Sequence, residues 1–502
     1  MSRKFILALD EGSSSARAVI IDMDGRIIGE ASRAIESRFP HPGWVELSPI
    51  DLWEAPQECI NQAMSLAEVN ADDIAAVGVT THRETIVMWD RKTGKPVHTA
   101  IMWMSKQTDD IVREWTERGL NDEFRQRTGL RNDSFFSAAK IVWLLRNVPG
   151  VRARAERGEL AIGTPDVWML WNLTGGTAHR IEPSAASRTA LFNIELGEWD
   201  VEFCQMLDIP ASLLPEVVPS IGWFGDVAPG ILRGTAANPV PVTAMLGDQQ
   251  AGLFGQACLE TGSAKNTFGT AGVLTVNVGN APQIMDGMCS SVAWKFGEEM
   301  TYEAEGVVFH SGQTVQWLRD KLGLFDSAAD IERLANSVAT NGGVYLVPAF
   351  AGLCDPHWDR NARASIMGLT LESSSAHIAR AGLESMAYQT RDNVDKLIAG
   401  GIDIPVLKVD GGATQNDLLC QFQADILGIP VARPVGLERT VLGIAHLAGV
   451  HVGLWTLNSI SDLWKLDRTF EPRMPDDLRE DLYLGWQDAV AATRQFGNRT
   501  SH

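Results

Sequence analysis

The sequence predicts an α/β protein. Strand-like and helix-like hydrophobic patterns alternate along the 502 residues, as is typical of folds in which helices cover a sheet. Two short apolar runs, residues 5–9 and 242–246, each lead to an aspartate, Asp10 and Asp248, followed by small and polar residues. We therefore expect two buried strands that each present a carboxylate at the strand end.

The first element is this N-terminal strand with the turn that follows it. The turn contains a glycine and three hydroxyl side chains, and Arg17 lies just beyond it; the hydroxyls belong to Ser13, Ser14 and Ser15. Flexible backbone N–H groups, hydroxyls and a guanidinium are suited to bind phosphate oxygens. An ordinary hairpin turn is the alternative, and this segment alone does not distinguish the two.

The next elements continue the alternation. Residues 23–25 predict a hairpin turn between antiparallel strands, residues 74–80 a buried strand, and residues 137–148 and 376–398 helices with one apolar face. The pattern restarts near residue 252, with a small-residue turn at 265–272 and a strand–glycine–helix start at 407–416. We therefore predict two halves of similar size, residues 1–252 and 253–502.

Composition restricts the partners and the compartment. The chain has 43 basic and 63 acidic residues, a net charge of −20, which argues against nucleic acid or an anionic membrane as partner. A nucleotide needs only local positive charge and stays possible. The six cysteines are scattered and no apolar run reaches membrane-span length. The apolar stretch behind the N-terminus ends too early for a signal peptide, so we expect a cytoplasmic protein.

Three further side chains are candidates for a hydroxyl-binding site. Arg83 and Glu84 follow the strand at 74–80. A guanidinium next to a carboxylate can donate to one hydroxyl of a ligand and accept from the neighbouring hydroxyl. A surface ion pair is the alternative. Asp248 can take a proton from a hydroxyl, or it can simply cap the next helix. Trp103 is equally consistent with a core residue, because the chain has 16 tryptophans.

Taken together, several segments resemble one known family. The resemblance is to the FGGY family of carbohydrate kinases, most closely to its members that phosphorylate glycerol, and it extends over essentially the whole chain. It is carried by Pro42-Gly43-Trp44-Val45-Glu46, Arg83-Glu84-Thr85, Trp103, Gly247-Asp248-Gln249-Gln250, Lys265-Asn266-Thr267, Asp410-Gly411-Gly412 and residues 135–144 and 368–384.

The resemblance implies a fold and a reaction. The fold would comprise two actin-like, ribonuclease-H-like ATPase domains flanking a deep cleft, with the N-terminal domain binding polyol and phosphate and the C-terminal domain binding nucleotide. The reaction would be transfer of the γ-phosphoryl group of ATP, with Mg²⁺, to a primary hydroxyl of glycerol, giving glycerol 3-phosphate. The resemblance also implies a homo-oligomer, a dimer or a tetramer.

The resemblance also implies residue roles, with Asp248 as the catalytic base and Asp10 on the magnesium side, acting through water. The implied substrate-binding residues are Arg83, Glu84, Trp103, Phe135, Asp248, Gln249 and Val273. The implied nucleotide-binding residues are Ser13, Ser14, Ser15, Arg17, Thr270, Gly312, Gln316, Gly412 and Asn416.

The sequence departs from the family pattern in the substrate pocket. Phe135 stands where a tyrosine is usual and Val273 where a phenylalanine is usual, and the residues after Trp103 also differ. A lost phenol hydroxyl and added volume would suit a longer polyol such as erythritol or threitol, which is the alternative substrate. A non-catalytic actin-like ATP-binding module is a further alternative, but it has no need of Arg83, Glu84 and Asp248 together.

Overall fold

The computed structural model describes residues 4–499 and contains two large mixed sheets, one in each half of the sequence. Helices cover both sheets, as predicted for an α/β chain. The strands of the described residues are β1 (Phe5–Glu11), β2 (Ser15–Ile21), β3 (Ile27–Ala34), β4 (Glu46–Leu47), β5 (Ile74–Thr81), β6 (Val87–Asp90), β7 (Ala100–Ile101), β8 (Leu160–Gly163), β9 (Arg180–Ile181), β10 (Phe192–Asn193), β11 (Glu198–Trp199), β12 (Glu216–Val217), β13 (Ile221–Asp226), β14 (Pro241–Gly247), β15 (Ala264–Phe268), β16 (Gly272–Gly279), β17 (Cys289–Phe296), β18 (Glu299–Val308), β19 (Tyr345–Val347), β20 (Ser365–Met367), β21 (Leu407–Asp410), β22 (Val431–Pro434) and β23 (Leu466–Phe470).

The α-helices of the same range are α1 (Asp51–Leu66), α2 (Asp109–Glu117), α3 (Asn121–Thr128), α4 (Ser137–Asn147), α5 (Val151–Glu156), α6 (Pro165–Leu173), α7 (Pro183–Ser187), α8 (Val201–Met206), α9 (Asp248–Gly255), α10 (Gly312–Asp320), α11 (Asp330–Ala335), α12 (Ser375–Ala399), α13 (Asp417–Leu427), α14 (Arg439–His451), α15 (Leu457–Leu463) and α16 (Asp476–Arg499).

The first sheet has six strands in the order β13-β14-β5-β1-β2-β3. Strands β14, β5 and β1 are parallel, and β2 and β3 follow β1 as antiparallel neighbours. Every residue of the central strand β5 is buried, which fits its small and β-branched side chains because a central parallel strand is covered on both faces. The carboxyl ends of the three parallel strands meet at one edge, where the predicted site residues lie.

The second sheet repeats this arrangement with seven strands in the order β17-β18-β16-β15-β21-β22-β23. Strands β15, β21 and β22 are parallel, and β15 and β16 form a hairpin around residues 269–271. The structural counterpart of the β1–β2 hairpin is therefore β15–β16. The second strand–aspartate segment, residues 242–252, differs from the first, because β14 enters helix α9 directly.

Most element predictions are confirmed, but the turn predicted at 265–272 is shorter, because residues 265–268 belong to β15 and only 269–271 connect it to β16. The strand predicted at 74–80 is part of β5, and the helices predicted at 137–148 and 376–398 are α4 and α12. The turn at 23–25 has Gly25 in the left-handed region (φ 78°), which a glycine adopts without strain. Strand β21 is followed by a short 3-10 turn and then by α13.

Helix α14, although late in the chain, packs on the first sheet. Its residue Ile444 belongs to the same buried cluster as Ile6 and Ala8 of β1. It crosses α9 where two glycines meet: a Cβ on Gly443 would lie 2.0 Å from the carbonyl oxygen of Ala251, and a Cβ on Gly255 equally close to the carbonyl oxygen of Arg439. The backbones of the two helices are therefore in direct contact, and the division of the chain at residue 252 stays a prediction.

The helix lengths and the state of the cysteines can be compared with what the sequence indicated. No helix within residues 4–499 has both the length and the apolar character needed to cross a bilayer. The six cysteines are all buried and free, as expected for cysteines that serve core packing.

Candidate active site

Three groups of predicted site residues lie at the carboxyl edge of the first sheet. Asp10 is at the end of β1, Arg83 and Glu84 follow β5, and Asp248 follows β14. Arg83 Nε lies 3.3 Å from Asp248 Oδ1. Burial, together with the Asp248 carboxylate, raises the pKa of Asp10 to about 7. The sheet topology thus places a guanidinium and three carboxylates around one region.

The Arg83–Glu84 pair is not on the surface, so the surface ion-pair alternative is wrong. The two side chains are only 5% and 3% exposed. The backbone of Glu84 has a φ of 64°, which is uncommon for a residue with a side chain and costs free energy unless the surroundings hold it. Here the hydroxyl of Ser137, the first residue of α4, donates to the carbonyl oxygen of Glu84 at 3.0 Å.

The charges that surround this pair were missed by the sequence reasoning. Arg188, which follows α7, and Glu303 and Glu305 on β18 are all buried next to Arg83 and Glu84. A signal for them exists in the sequence. The stretch Tyr302-Glu303-Ala304-Glu305-Gly306-Val307-Val308 places two carboxylates among apolar and small residues, and buried charges need partners.

Trp103, Phe135 and Val273 lie in one aromatic and apolar region. The rings of Trp103 and Phe135 meet edge to face, with centroids 5.3 Å apart. Val273 belongs to a small buried cluster in the second half, and Phe309 and Trp358 pack against both this cluster and the one that contains Phe135. Phe309 and Trp358 therefore link the two clusters that contain the residues departing from the family pattern.

The turn after Asp10 is a hairpin turn between β1 and β2, in agreement with the simpler alternative. Ser13 Oγ accepts a hydrogen bond of 2.8 Å from Trp103 Nε1, so the turn touches the aromatic region. Ser14 is exposed at the tip, and the carbonyl oxygen of Ser15 accepts from Gly12 N at 2.9 Å. Phosphate binding by these serines stays a prediction.

Arg17 has two carboxylate partners. It lies 2.7 Å from Glu30 on β3 and also forms an ion pair with Glu438, in the loop before α14. Glu438 comes from the C-terminal half of the sequence, so this contact joins β2 to that half.

A cavity of about 590 Å³ lies beside Asp10. Asp10 and Gly412 were predicted for the site and both line it, together with Thr267, Asp410, Gly411 and Gln415. The loop at residues 436–440 lines it too and was missed. The sequence pattern that could have identified this loop is a strand followed by a glycine and a helix start, as at residues 407–416, because β22 leads through Gly436 to α14.

The other predicted nucleotide residues do not line this cavity. Thr270 and Gly312 lie together, because the carbonyl oxygen of Thr270 accepts from Ser311 N and Gly312 N donates to the neighbouring Gly269. Gln316 is exposed on α10. Asn416 caps helix α13, with its Oδ1 accepting from Leu419 N at 2.9 Å. Their roles stay predictions.

Gln249 forms a hydrogen bond with Lys265, a residue to which the sequence analysis assigned no role. Its side-chain oxygen accepts from Lys265 Nζ, which also donates to Thr267 Oγ1 at 2.8 Å. Lys265 is buried, and burial lowers the pKa of its ammonium even though Asp410 and Asp248 act in the opposite direction. Lys265 thus connects the Asp248 side of the site to the wall of the cavity.

Two profiles of one family match the chain. The profile for the "FGGY family of carbohydrate kinases, N-terminal domain" matches residues 5–255, and the profile for the C-terminal domain of the same family matches residues 264–452.

Curated relatives align with the chain over nearly its full length. A glycerol kinase from Carboxydothermus hydrogenoformans is 47% identical over 499 residues, which is 99% of each chain. Glycerol kinase 2 from Thermotoga maritima is 46% identical over 491 residues, 97% of this chain and 98% of the relative.

Solved structures agree with the fold. Plasmodium falciparum glycerol kinase with ADP has a TM-score of 0.90 at 33% identity and covers 97% of this chain and 98% of its own. A xylulose kinase from Lactobacillus acidophilus has a TM-score of 0.87 at 20% identity, covering 98% and 99%, which supports the fold alone. The predicted α/β fold with two actin-like domains is confirmed, and the chain belongs to the FGGY family of carbohydrate kinases.

Proposed function

We propose that the protein is an ATP-dependent kinase that phosphorylates a primary hydroxyl of glycerol, giving glycerol 3-phosphate and ADP. The observation that carries the proposal is the position of Arg83, Glu84 and Asp248 at one sheet edge, next to the cavity that Asp10 lines. The curated glycerol kinases that match the chain from end to end support the same reaction.

In this proposal the polyol is bound by donors and acceptors from adjacent residues. The Arg83 guanidinium donates to one hydroxyl and the Glu84 carboxylate accepts from the next, so each hydroxyl is matched in both of its roles. Gln249 binds a third hydroxyl. The carbon edge of the polyol lies against the rings of Trp103 and Phe135, with Val273 closing the pocket from the second half.

Asp248 is proposed to take the proton of the hydroxyl that is phosphorylated. It is the first residue of α9, and its Oδ1 accepts from Gln249 N at 2.8 Å, which fixes the orientation of the carboxylate. The side chain is 25% exposed, so it is accessible to a substrate in the cleft. As the bond to phosphorus forms, the hydroxyl proton passes to the Asp248 carboxylate.

The nucleotide is proposed to occupy the cavity beside Asp10. Gly411 and Gly412 allow the backbone to approach the adenosine closely, and the serines of the β1–β2 turn and Arg17 face the phosphates. Thr270, Gly312, Gln316 and Asn416 keep the nucleotide roles implied by the family. Arg17 would have to exchange Glu438 for phosphate oxygens.

The residues present fit a magnesium ion that is held mainly by water and phosphate. Within residues 4–499 no cluster of three or more His, Cys, Asp or Glu side chains is arranged to hold a metal. Asp10, however, is a half-buried carboxylate whose pKa is raised by desolvation and also by Asp248, and a cation would relieve that repulsion. Mg²⁺ suits such a site because it keeps several waters and needs one or two carboxylates. When bound, it would neutralise the charge of the transferred phosphoryl group.

A longer polyol, such as erythritol or threitol, is the second candidate substrate. The observation in its favour is that Phe135 offers no hydroxyl and that Val273 stands across the same aromatic region from it. The dimeric or tetrameric state and the cytoplasmic location stay predictions.

The test is an ATP-consumption screen over polyols and ketoses of three to five carbons, with the product position assigned by ³¹P NMR. We expect glycerol to be phosphorylated at a primary hydroxyl, and Asp248→Asn to bind polyol but turn it over very slowly. If no polyol is phosphorylated, or if Asp248→Asn retains near-normal turnover, the proposal is wrong.

A further inference from the structure

We infer that Arg188 and Glu305 are positioning residues for polyol binding, and that they act by closing a ring of four alternating charges with Arg83 and Glu84. The inference rests on the proposed function, because it concerns the pair that binds the polyol. Neither residue belongs to a segment that the sequence reasoning used.

The ring is defined by short contacts. Arg188 Nε donates to Glu84 Oε1 at 2.6 Å, and Arg188 Nη2 lies 2.8 Å from Glu305 Oε1. The other oxygen of Glu305, Oε2, lies 2.7 Å from Arg83 Nη1. Arg83 Nε completes the ring at 3.9 Å from Glu84 Oε1. Each carboxylate therefore contacts both guanidiniums, and each guanidinium contacts both carboxylates.

The ring is electrically balanced and almost without solvent. The side chains of Arg188 and Glu305 are 0% exposed, and those of Arg83 and Glu84 are nearly so. Two positive and two negative charges cancel within the ring, and Arg83 additionally lies 3.3 Å from Asp248 and 3.9 Å from Glu303. In a buried site, removing one member leaves its partner uncompensated, and this costs far more than the loss of a surface pair.

The second half of the chain supplies the member that holds the ring together. Arg83, Glu84 and Arg188 belong to the first half, whereas Glu305 lies on β18 of the second sheet. Arg188 is held flat, because its guanidinium carbon lies 5.3 Å from the centre of the Phe136 ring. The second sheet therefore reaches across to the polyol-binding pair and sets the direction in which Arg83 points.

The ring also sets the charge of Glu84, which must be ionised to accept from a hydroxyl. Burial raises the pKa of Glu84 above its usual range, although Arg188 and Arg83 both lower it. Burial alone would also raise the pKa of Glu305, but Arg188 and Arg83 hold it below its usual range. The other charged or titratable groups that face the ring are Lys140 from α4, Asp248 from α9, Lys265 from β15, Cys289 from β17, Glu303 from β18 and Asp355.

The two single substitutions should shift the acid limb of the pH profile in opposite directions. Arg188→Met leaves the ring with an excess negative charge, so protonation of Glu84 becomes easier and the acid limb of kcat/KM for polyol moves up by about one pH unit. Glu305→Gln leaves an excess positive charge, so the acid limb moves down. A purely structural role would lower stability without producing opposite shifts.

The experiment measures kcat and KM for polyol and for ATP separately, from pH 5.5 to 9, in both single variants and in the double variant. We expect Arg188→Met to raise the polyol KM about 10- to 100-fold, with the ATP KM little changed. The double variant should recover part of this loss, because its ring is again balanced. The matched control is Arg152→Met, which removes an arginine from an ion pair with Asp208 far along the surface.

Several results would contradict this inference without contradicting the proposed kinase activity. These are equal changes in both KM values, acid limbs that move in the same direction, or a double variant worse than either single. If Arg188→Met does not fold, Arg188→Gln replaces it, since glutamine removes the same charge while keeping hydrogen-bond donors and should give the same sign of shift. A wild type that phosphorylates no polyol would instead overturn the proposed function, and this inference with it.

Discussion

Replacing Glu438 by glutamine should tighten ATP binding. Glu438 lines the cavity beside Asp10 and forms an ion pair with Arg17, which we propose as a phosphate ligand. The carboxylate therefore competes with the phosphates for the same guanidinium. It also adds negative charge to the cavity. The pKa of Asp10 is raised mainly by burial and by Asp248, and Glu438 raises it further. Both effects oppose an anionic ligand, and Glu438→Gln removes both.

The magnitude follows from the exposure of the pair. The side chain of Arg17 is 17% exposed and that of Glu438 is 55% exposed, so the pair has the strength of a surface ion pair. Such pairs contribute about 0.2–1 kcal/mol, which corresponds to a change of about 1.4- to 5-fold in affinity. We therefore expect the KM for ATP to fall by about 1.4- to 5-fold, and the difference to shrink as salt screens the charges.

The assay is steady-state kinetics with ATP varied at saturating polyol, at low and at high ionic strength. The control is Glu30→Gln, which removes the other partner of Arg17, 2.7 Å away on β3, without changing the cavity lining. The control should have a smaller effect on the KM for ATP. A rise in KM for Glu438→Gln would refute the reasoning, because it would mean that the contact between Arg17 and Glu438 assists nucleotide binding.

Four further outcomes are expected. Asp248→Asn should lower kcat about 10²- to 10⁴-fold with little change in the polyol KM, and a near-normal kcat would contradict its role. The double change Phe135→Tyr/Val273→Phe should shift the kcat/KM ratio of glycerol over erythritol or threitol towards glycerol, by a few-fold to about tenfold; an unchanged ratio would exclude the enlarged pocket. Lys140 Nζ donates to the carbonyl oxygens of residues 134, 135 and 136 at 2.6–2.9 Å, so Lys140→Met should lower the free energy of unfolding by about 3 kcal/mol or more in denaturant titrations. Polyol plus nucleotide should reduce the radius of gyration in X-ray scattering as the cleft closes, and superimposable curves would argue against closure.

The sequence was sufficient to predict most of the elements and the strand ends that carry three groups of candidate site residues. Apolar runs ending at Asp10 and Asp248, and the buried strand before Arg83, mark three strand ends, and parallel strands bring their carboxyl ends together. The pattern at 242–252 left open whether β14 enters a turn or a helix that Asp248 could cap. An aspartate after an apolar run is compatible with either continuation.

The residues that the sequence did not reveal act through contacts between distant parts of the chain. Arg188 and Glu305 are separated by more than a hundred positions and meet only because the end of α7 packs on the second sheet, where Val292 N of β17 donates to Ser187 Oγ. Nothing local distinguishes Arg188 from a surface arginine. The cavity loop at 436–440 was missed for a different reason, since its strand–glycine–helix pattern was visible but was not compared with the others.

The contact between α9 and α14 has a consequence for how the enzyme can move. Helix α9 starts at Asp248, the proposed proton acceptor. Helix α14 starts directly after Glu438, in the loop at residues 436–440 that lines the cavity. Because their backbones touch at Gly255 and Gly443, the separation of these two parts is fixed by the main chain and does not depend on core side chains. Exchanging pocket residues to change the acceptor would therefore leave the phosphoryl-donor side in place. Closing motions must instead involve parts of the chain outside this rigid pair.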